Sequence, residues 1–352
     1  TEVEKQEFVK REIPADLVES TRKRVAEAGL HPTDDEYNGL LAYVWPAMVK
    51  MKKRDDKYKA VREKNFTTEE GSYYLRELSI DELPGLTTPE TTAVMLALSF
   101  EMGMAIHFVA PAFGFQKNIP YPDNEKLRKM ITPIWNICEK FGVSIGFHSG
   151  SGKSAKNYQV AGQVTGSNLE IKTSGRYTYE MGVALSKSSD PYDQELWQDW
   201  YNFTIDLASN GCFAEDETER KMAREFVSLT LDEESSKKAF SSIEDCRTIL
   251  QSLEPSPDHF FWFEYNFLYV LAAGGSADKN SLGDHSSEGY RQRRRFYSIS
   301  DQGKLLYSKR VSKYIIFLAL NTRLVSSEIC KDALSELETF SEYTDFIESI
   351  SK

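Results

Sequence analysis

Four places in this sequence put chemically capable side chains where an apolar run gives way to a turn. The first carries Glu77 and Asp81. The second carries His107 ahead of Ala110-Pro111-Ala112-Phe113-Gly114, and the third carries His148 within Phe147-His148-Ser149-Gly150-Ser151-Gly152-Lys153-Ser154. The fourth carries Lys172, Thr173 and Ser174. Imidazole and carboxylate together suit a divalent cation such as Zn, Mn, Fe or Ni, so His148 and His107 are the candidate metal ligands. Glu77 and Asp81 are candidate acid–base groups, and Lys172 at a strand end is a candidate catalytic lysine able to form a Schiff base. The turn after His148, through Ser149, Ser151 and Lys153, suits a carboxylate or a sugar hydroxyl met by backbone amides and short polar side chains.

Each of these residues also has a plainer reading. His107 taken alone is equally a hydrogen-bonded core histidine, Glu77 in Arg76-Glu77-Leu78 an exposed ion pair, and Asp81 a turn or cap residue. His148 is better placed, because an apolar strand precedes it and a glycine-rich turn follows. The string Gly150-Ser151-Gly152-Lys153-Ser154 does not make a phosphate-binding P-loop. That motif needs a glycine where Phe147 stands, and no strong helix is expected directly after Ser154. The densest positive charge, Arg291-Gln292-Arg293-Arg294-Arg295, follows Asp284-His285-Ser286. It reads as a solvated helix face, or as the source of one arginine, Arg294, that clamps a substrate carboxylate in bidentate fashion.

To bring the four places together, the elements before them must be parallel strands. Apolar segments at Tyr73–Leu78, Ala105–Ala110, Val143–Phe147 and Leu169–Thr173 alternate with helical stretches at Pro89–Met102 and Asn124–Phe141, which predicts crossover connections and an α/β fold. In such a sheet ligands gather at the carboxyl ends of the strands. Upstream, Asp16–Asn65 reads as two helices. Downstream, helices are expected from Gly175 through Leu185, over Pro191–Ala208, within Glu215–Leu253, and around Val311–Leu320 and Glu328–Ile347. The apolar run Phe260–Ala273 fits either a strand or a buried helix. The organisation expected is a helical segment over 1–70, an α/β core carrying the site over 71–275, and a closing loop with helices over 276–352.

The composition sets outer bounds. With 352 residues, 40% hydrophobic and 12% aromatic, the chain can bury a sizeable core. A net charge of −11 argues against broad contact with nucleic acid or an anionic membrane. The four cysteines are far apart and form no CxxC pair, which removes thiolate zinc clusters and redox dithiols. No long apolar run and no signal peptide is visible, so a cytoplasmic protein is expected. The sequence starts at Thr1 rather than at an initiator Met, so upstream residues are expected.

The motifs, taken in order, resemble the tagaturonate/fructuronate epimerases of hexuronate catabolism. The resemblance runs from about Tyr74 to Leu185 and rests on Glu77-Leu78-Ser79-Ile80-Asp81-Glu82, Ala110-Pro111-Ala112-Phe113-Gly114, His148-Ser149-Gly150-Ser151-Gly152-Lys153 and Ile171-Lys172-Thr173-Ser174-Gly175. It implies a TIM-barrel-like core and a metal-dependent isomerase that interconverts D-tagaturonate and D-fructuronate. Carried over, His148 would be a metal ligand, Glu77 a proton-transferring acid or base, and Asp81 a supporting acid; His107 stands where the family has a polar residue. The partner implied is a small sugar acid. The family's usual turn has aspartate where this chain has Gly152, and its upstream acidic, histidine-bearing motif is not found before Glu77. The alternatives are a Schiff-base or metal-dependent sugar-acid aldolase or isomerase, and a non-catalytic sugar-acid binding protein; a homo-oligomer stays open.

Overall fold

The computed structural model describes residues 1–116, 119–270 and 293–351. Asp284-His285-Ser286, Arg291, Gln292 and the expected boundary near 275 lie outside the described residues. The chain divides into two compact units, Thr1–Thr173 with Ala319–Val325, and Ser174–Leu318 with Ser326–Lys352.

The first unit begins with helices α1 (Glu2–Glu12), α2 (Ala15–Glu27), α3 (Asp34–Asn65) and the single turn α4 (Glu69–Ser72). The sequence from Asp16 to Asn65 therefore gives the two expected helices, α2 and α3, after an additional one. Thr1 and Thr33 each close a capping box, with Glu4 and Glu36 respectively, which satisfies amides that a helix start otherwise leaves open. Four strands follow: β1 (Glu77–Ser79), β2 (Phe108–Ala110), β3 (Ser144–Phe147) and β4 (Leu169–Ile171). They are joined by α5 (Pro89–Glu101), α6 (Asn124–Phe141) and α7 (Ala155–Thr165). All three pairings are parallel and the order is β1-β2-β3-β4, as helical crossovers require. Sequential parallel order is also the order of strands in a βα barrel.

Local sequence explains each connection. Thr88 caps α5 with Pro89 at its first position, and Thr91 to Ser99 are all buried, as befits a helix covered on every side. Asp123 caps α6, whose buried stripe is Leu127, Ile131, Ile134, Ile137 and Cys138, and Gly142 ends it at φ 64°. A helix does begin directly after Ser154, contrary to the expectation from sequence. Ser154 caps α7 through the amide of Asn157, whose side chain returns to the cap. The signal was missed because the reciprocal partner is Asn rather than Glu or Gln. The P-loop reading still fails on Phe147, which occupies a strand rather than a glycine turn. One apolar core runs from Val9 through Met48, Leu78, Leu96, Val109 and Ile145 to Ala161, so the amino-terminal helices and the sheet share it.

The second unit is helical: α8 (Ser174–Lys187), α9 (Pro191–Gly211), α10 (Glu217–Ser228), α11 (Glu233–Ala239), α12 (Ile243–Gln251), α13 (Phe260–Tyr269), α14 (Asp301–Asn321, its last turn counted with the first unit), α15 (Ser327–Thr339) and α16 (Tyr343–Ile350). The undecided segment after Pro257 is helix through Tyr269. Its buried positions Phe261, Trp262, Asn266 and Tyr269 follow helical spacing, and Trp262 packs edge-on against Trp197 and Trp200 of α9. Among the described residues no helix is long and apolar enough to cross a membrane.

Candidate functional site

Side chains alternate across a strand, and the register decides which ones share a face. Ser79 pairs with Ala110, Val109 with Ile145 and Gly146 with Glu170, so Ser79, Ala110, Gly146 and Glu170 form one row across the sheet. Three of the four are small. A Cβ added at Gly146 would sit 3.2 Å from the Ala110 Cβ, so glycine keeps this face open. Into the opening project Glu77, two residues before Ser79, and His148, two residues after Gly146.

His148 is held at both ring nitrogens. Its Nδ1 is 2.9 Å from Asp81 Oδ2 and its Nε2 is 2.9 Å from Glu77 Oε1. A neutral imidazole has one N–H and so can donate only one of these bonds. Asp81 fixes the ring's orientation, the part a carboxylate plays behind a metal-binding histidine. The other Asp81 oxygen, Oδ1, is buried with no hydrogen-bond partner among the described residues. Ser79 donates to Glu77 Oε1 at 2.5 Å. Arg76 does not pair with Glu77; it bonds Asp55 at 3.0 Å.

The residue that sequence reading missed is Glu170. Donor atoms of Glu77, His148 and Glu170 all lie within 4.8 Å of one another. In a flat sheet β1 and β4, three strand spacings apart, would stand ~14 Å apart, so the two long glutamate side chains reach toward each other across β2 and β3. The signal was present in Leu169-Glu170-Ile171, where a carboxylate interrupts an apolar strand of a parallel sheet. Lys172, two residues further on, is the residue that the motif Ile171-Lys172-Thr173-Ser174-Gly175 singles out.

The two carboxyls divide their protonation. Burial is the largest influence on both and pushes each up. For Glu77, hydrogen bonds from Glu170, Ser79 and His148 and the attraction of His148 outweigh it and hold the group at about 2. Glu170 is raised to about 7 by burial, the hydrogen bond to Glu77 and repulsion from the Glu77 charge, with His148 and Lys172 opposing. The linkage signs are opposite. Glu77 stabilises the fold above its ordinary 4.5 and loses that contribution as pH falls toward about 2. The folded state keeps the Glu170 proton that the unfolded chain releases near 4.5, so stability declines as pH rises from there to about 7. In chelator-treated protein, Glu170→Gln is expected to flatten the dependence of Tm on pH across that window. An unchanged slope would refute the Glu170 assignment.

The other sequence candidates fall in different surroundings. His107 precedes β2, and its Nδ1 accepts from the Arg76 amide at 3.0 Å; it is not part of the three-residue group. Lys172 is exposed and near enough to Glu170 to lower its pKa. Ser149 is exposed and takes φ 50°. Ser151 and Lys153 turn inward, at 2% and 5% exposure, and burial pulls the Lys153 pKa down to about 8. Thr173 is buried. Arg294 is an exposed residue of the second unit. Its neighbour Arg295 is engaged by Asp199 at 2.7 Å and by the Tyr269 hydroxyl at 2.8 Å.

Fold and site define an α/β protein whose parallel strands bring a histidine and two glutamates together on one face of the sheet. The sequence profile of the family UxaE, tagaturonate epimerase, matches residues 51–226, and the chain belongs to that family. Two crystal structures share its fold, the native and a glycerol-complexed form of fructuronate-tagaturonate epimerase UxaE from Cohnella laeviribosi. Their TM-scores are 0.52 and 0.51, each at 16% identity over 91% of this chain and 60% of that chain. The chain thus spans about 60% of the length of these solved structures. No curated protein matches it in sequence.

Proposed function

We propose that this chain is a metal-dependent epimerase acting on a keto-hexuronate and interconverting D-tagaturonate and D-fructuronate. The observation that carries the reading is the Glu77–His148–Glu170 convergence, in a chain of the tagaturonate epimerase family. Family membership supports the reaction class, and the names of the similar crystal structures support the substrate pair.

The donor set fits a divalent cation. His148 Nε2 and a carboxylate oxygen from each of Glu77 and Glu170 would hold it, with Asp81 behind His148. When bound, such an ion supplies Lewis-acid polarisation of a ketone and its neighbouring hydroxyl. The remaining work belongs to the chain. Glu77, ionised across the neutral range, suits a ligand and counter-charge better than a proton carrier. Glu170, raised to about 7 while no cation is bound, is the carboxyl that would give up its proton when an ion binds at neutral pH. Lys172 offers an exposed ammonium beside Glu170 for the substrate carboxylate. Lys153 spends its ammonium on backbone carbonyls instead.

The test is incubation of the chain with D-tagaturonate before and after chelation, with Zn, Mn, Fe and Ni restored singly and products followed by NMR. Conversion to D-fructuronate that chelation removes and one cation restores is expected. A chain that binds cation and converts neither sugar acid would contradict the proposed reaction, and borohydride trapping of substrate on Lys172 would replace it with lysine chemistry.

A further inference from the structure

Beneath the turn that carries His148 lies a second polar cluster that does not face the cation group. Lys153 Nζ donates to the carbonyl of Gln116 at 2.6 Å and to that of Ser151 at 3.2 Å, and lies 5.2 Å from the Phe115 ring centre. Tyr158, in the first turn of α7, donates its hydroxyl to the Gly150 carbonyl at 2.7 Å and accepts from the Lys153 amide at 3.2 Å. Asn157 beside it accepts from the amides of Tyr121 and Ser154 and donates to the Tyr121 carbonyl and to Asn124 Oδ1. Three pieces of chain are joined in this way: the segment after β2, the turn after β3 and the start of α7.

A buried ammonium is an expensive way to join loops, because its desolvation is only partly offset by neutral carbonyl acceptors. An apolar side chain of similar length would fill the space without that penalty. What the ammonium adds is direction, since it fixes two loops by their backbones. The turn has little other freedom. Ser149 is held at φ 50°, and a Cβ at Gly150 would meet the Phe147 carbonyl oxygen at 2.6 Å and Ile171 Cγ2 at 2.8 Å. His148 is the residue between the end of β3 and this pinned turn.

We propose that Lys153, acting with Tyr158, is a positioning residue for the cation group. It pins the turn so that the His148 ring stays aimed at Glu77 and Glu170, and it touches neither cation nor substrate. This rests on the reading of Glu77, His148 and Glu170 as a cation site, and the test separates the two.

The experiment is titration of the full chain with Co(II), followed by its visible absorption, in wild type, Lys153→Met, Lys153→Arg, Tyr158→Phe and His148→Ala, with folding checked by circular dichroism. The expected result is a Co(II) band in wild type that His148→Ala loses. Lys153→Met and Tyr158→Phe stay folded but bind about 10–100-fold more weakly with an altered band, the range seen when support behind a ligand is removed. Lys153→Arg, which keeps the charge and donors, recovers part of the affinity. Wild-type affinity and spectrum in both Lys153→Met and Tyr158→Phe would overturn the positioning role while leaving the cation site intact. If Lys153→Met does not fold, Tyr158→Phe decides alone, and affinity within about threefold of wild type overturns the role. A wild type without the band, or a His148→Ala that binds as wild type does, would instead remove the cation reading and the positioning role with it.

Discussion

Glu170→Gln is expected to weaken divalent-cation affinity by at least about 10-fold and to remove the pH dependence of that affinity near neutrality. Glutamine keeps the length of the side chain and an oxygen but carries no charge and has no proton to give up. The expectation follows from the environment: without a cation, burial, the hydrogen bond to Glu77 and the Glu77 charge raise this carboxyl to about 7, so binding an ion there at neutral pH displaces a proton. Glu77→Gln should behave differently. Its carboxylate is already ionised across the neutral range, so its loss weakens binding of the ion and moves the pH dependence downward, because the charge that helps to raise Glu170 is gone. Cation titrations at pH values on either side of about 7 separate the two variants. A Glu170→Gln chain whose cation affinity keeps the wild-type pH dependence would take the coordinating role away from Glu170.

Replacement of His148 by alanine should reduce divalent-cation affinity by more than about 100-fold, measured by competition with a metallochromic chelator. Removing an outer carboxylate behind a ligating histidine already costs 10–100-fold, and Asp81→Asn is expected to fall in that range. The order of the two variants carries the argument. His148 is the one residue of the site held at both ring nitrogens, so its removal discards a donor, whereas Asp81→Asn leaves the donor and loosens its aim. Equal losses would mean that Asp81 acts directly on the ion, and no loss in His148→Ala would remove the site.

Much of this arrangement was legible in the sequence. The alternation of apolar segments with capped helices is local, and α6 starts and ends where Asp123 and Gly142 indicate. His148 stood out for the same reason, since a histidine between an apolar strand and a glycine turn is a local pattern. Asp81 and Glu77 joined it because motif order brought them to the same rim. What was not legible depends on register and on side-chain reach. Glu170 lies in the row of Ser79, Ala110 and Gly146 only once the strands are aligned, and it meets Glu77 across two intervening strands. His107 illustrates the reverse: its residue type suggests a ligand, but its ring accepts a backbone amide before β2. Lys153 and Ser151 look like ligand-binding residues of a polar turn, yet the turn folds them inward. The helix after Ser154 was hidden by an Asn in the place where a capping box usually carries Glu or Gln.

The central claim is that one divalent cation is shared by Glu77, His148 and Glu170. Diffraction from crystals of the chain grown with Mn or Zn, recorded above and below the absorption edge of the metal, locates the ion directly. The account predicts one anomalous peak between His148 Nε2 and the carboxylates of Glu77 and Glu170, at about 2.0–2.2 Å from the donor atoms for Zn, with Asp81 behind the histidine and outside the coordination sphere. An ion bound elsewhere in the first unit, or no peak here at a cation concentration that supports turnover, would contradict it.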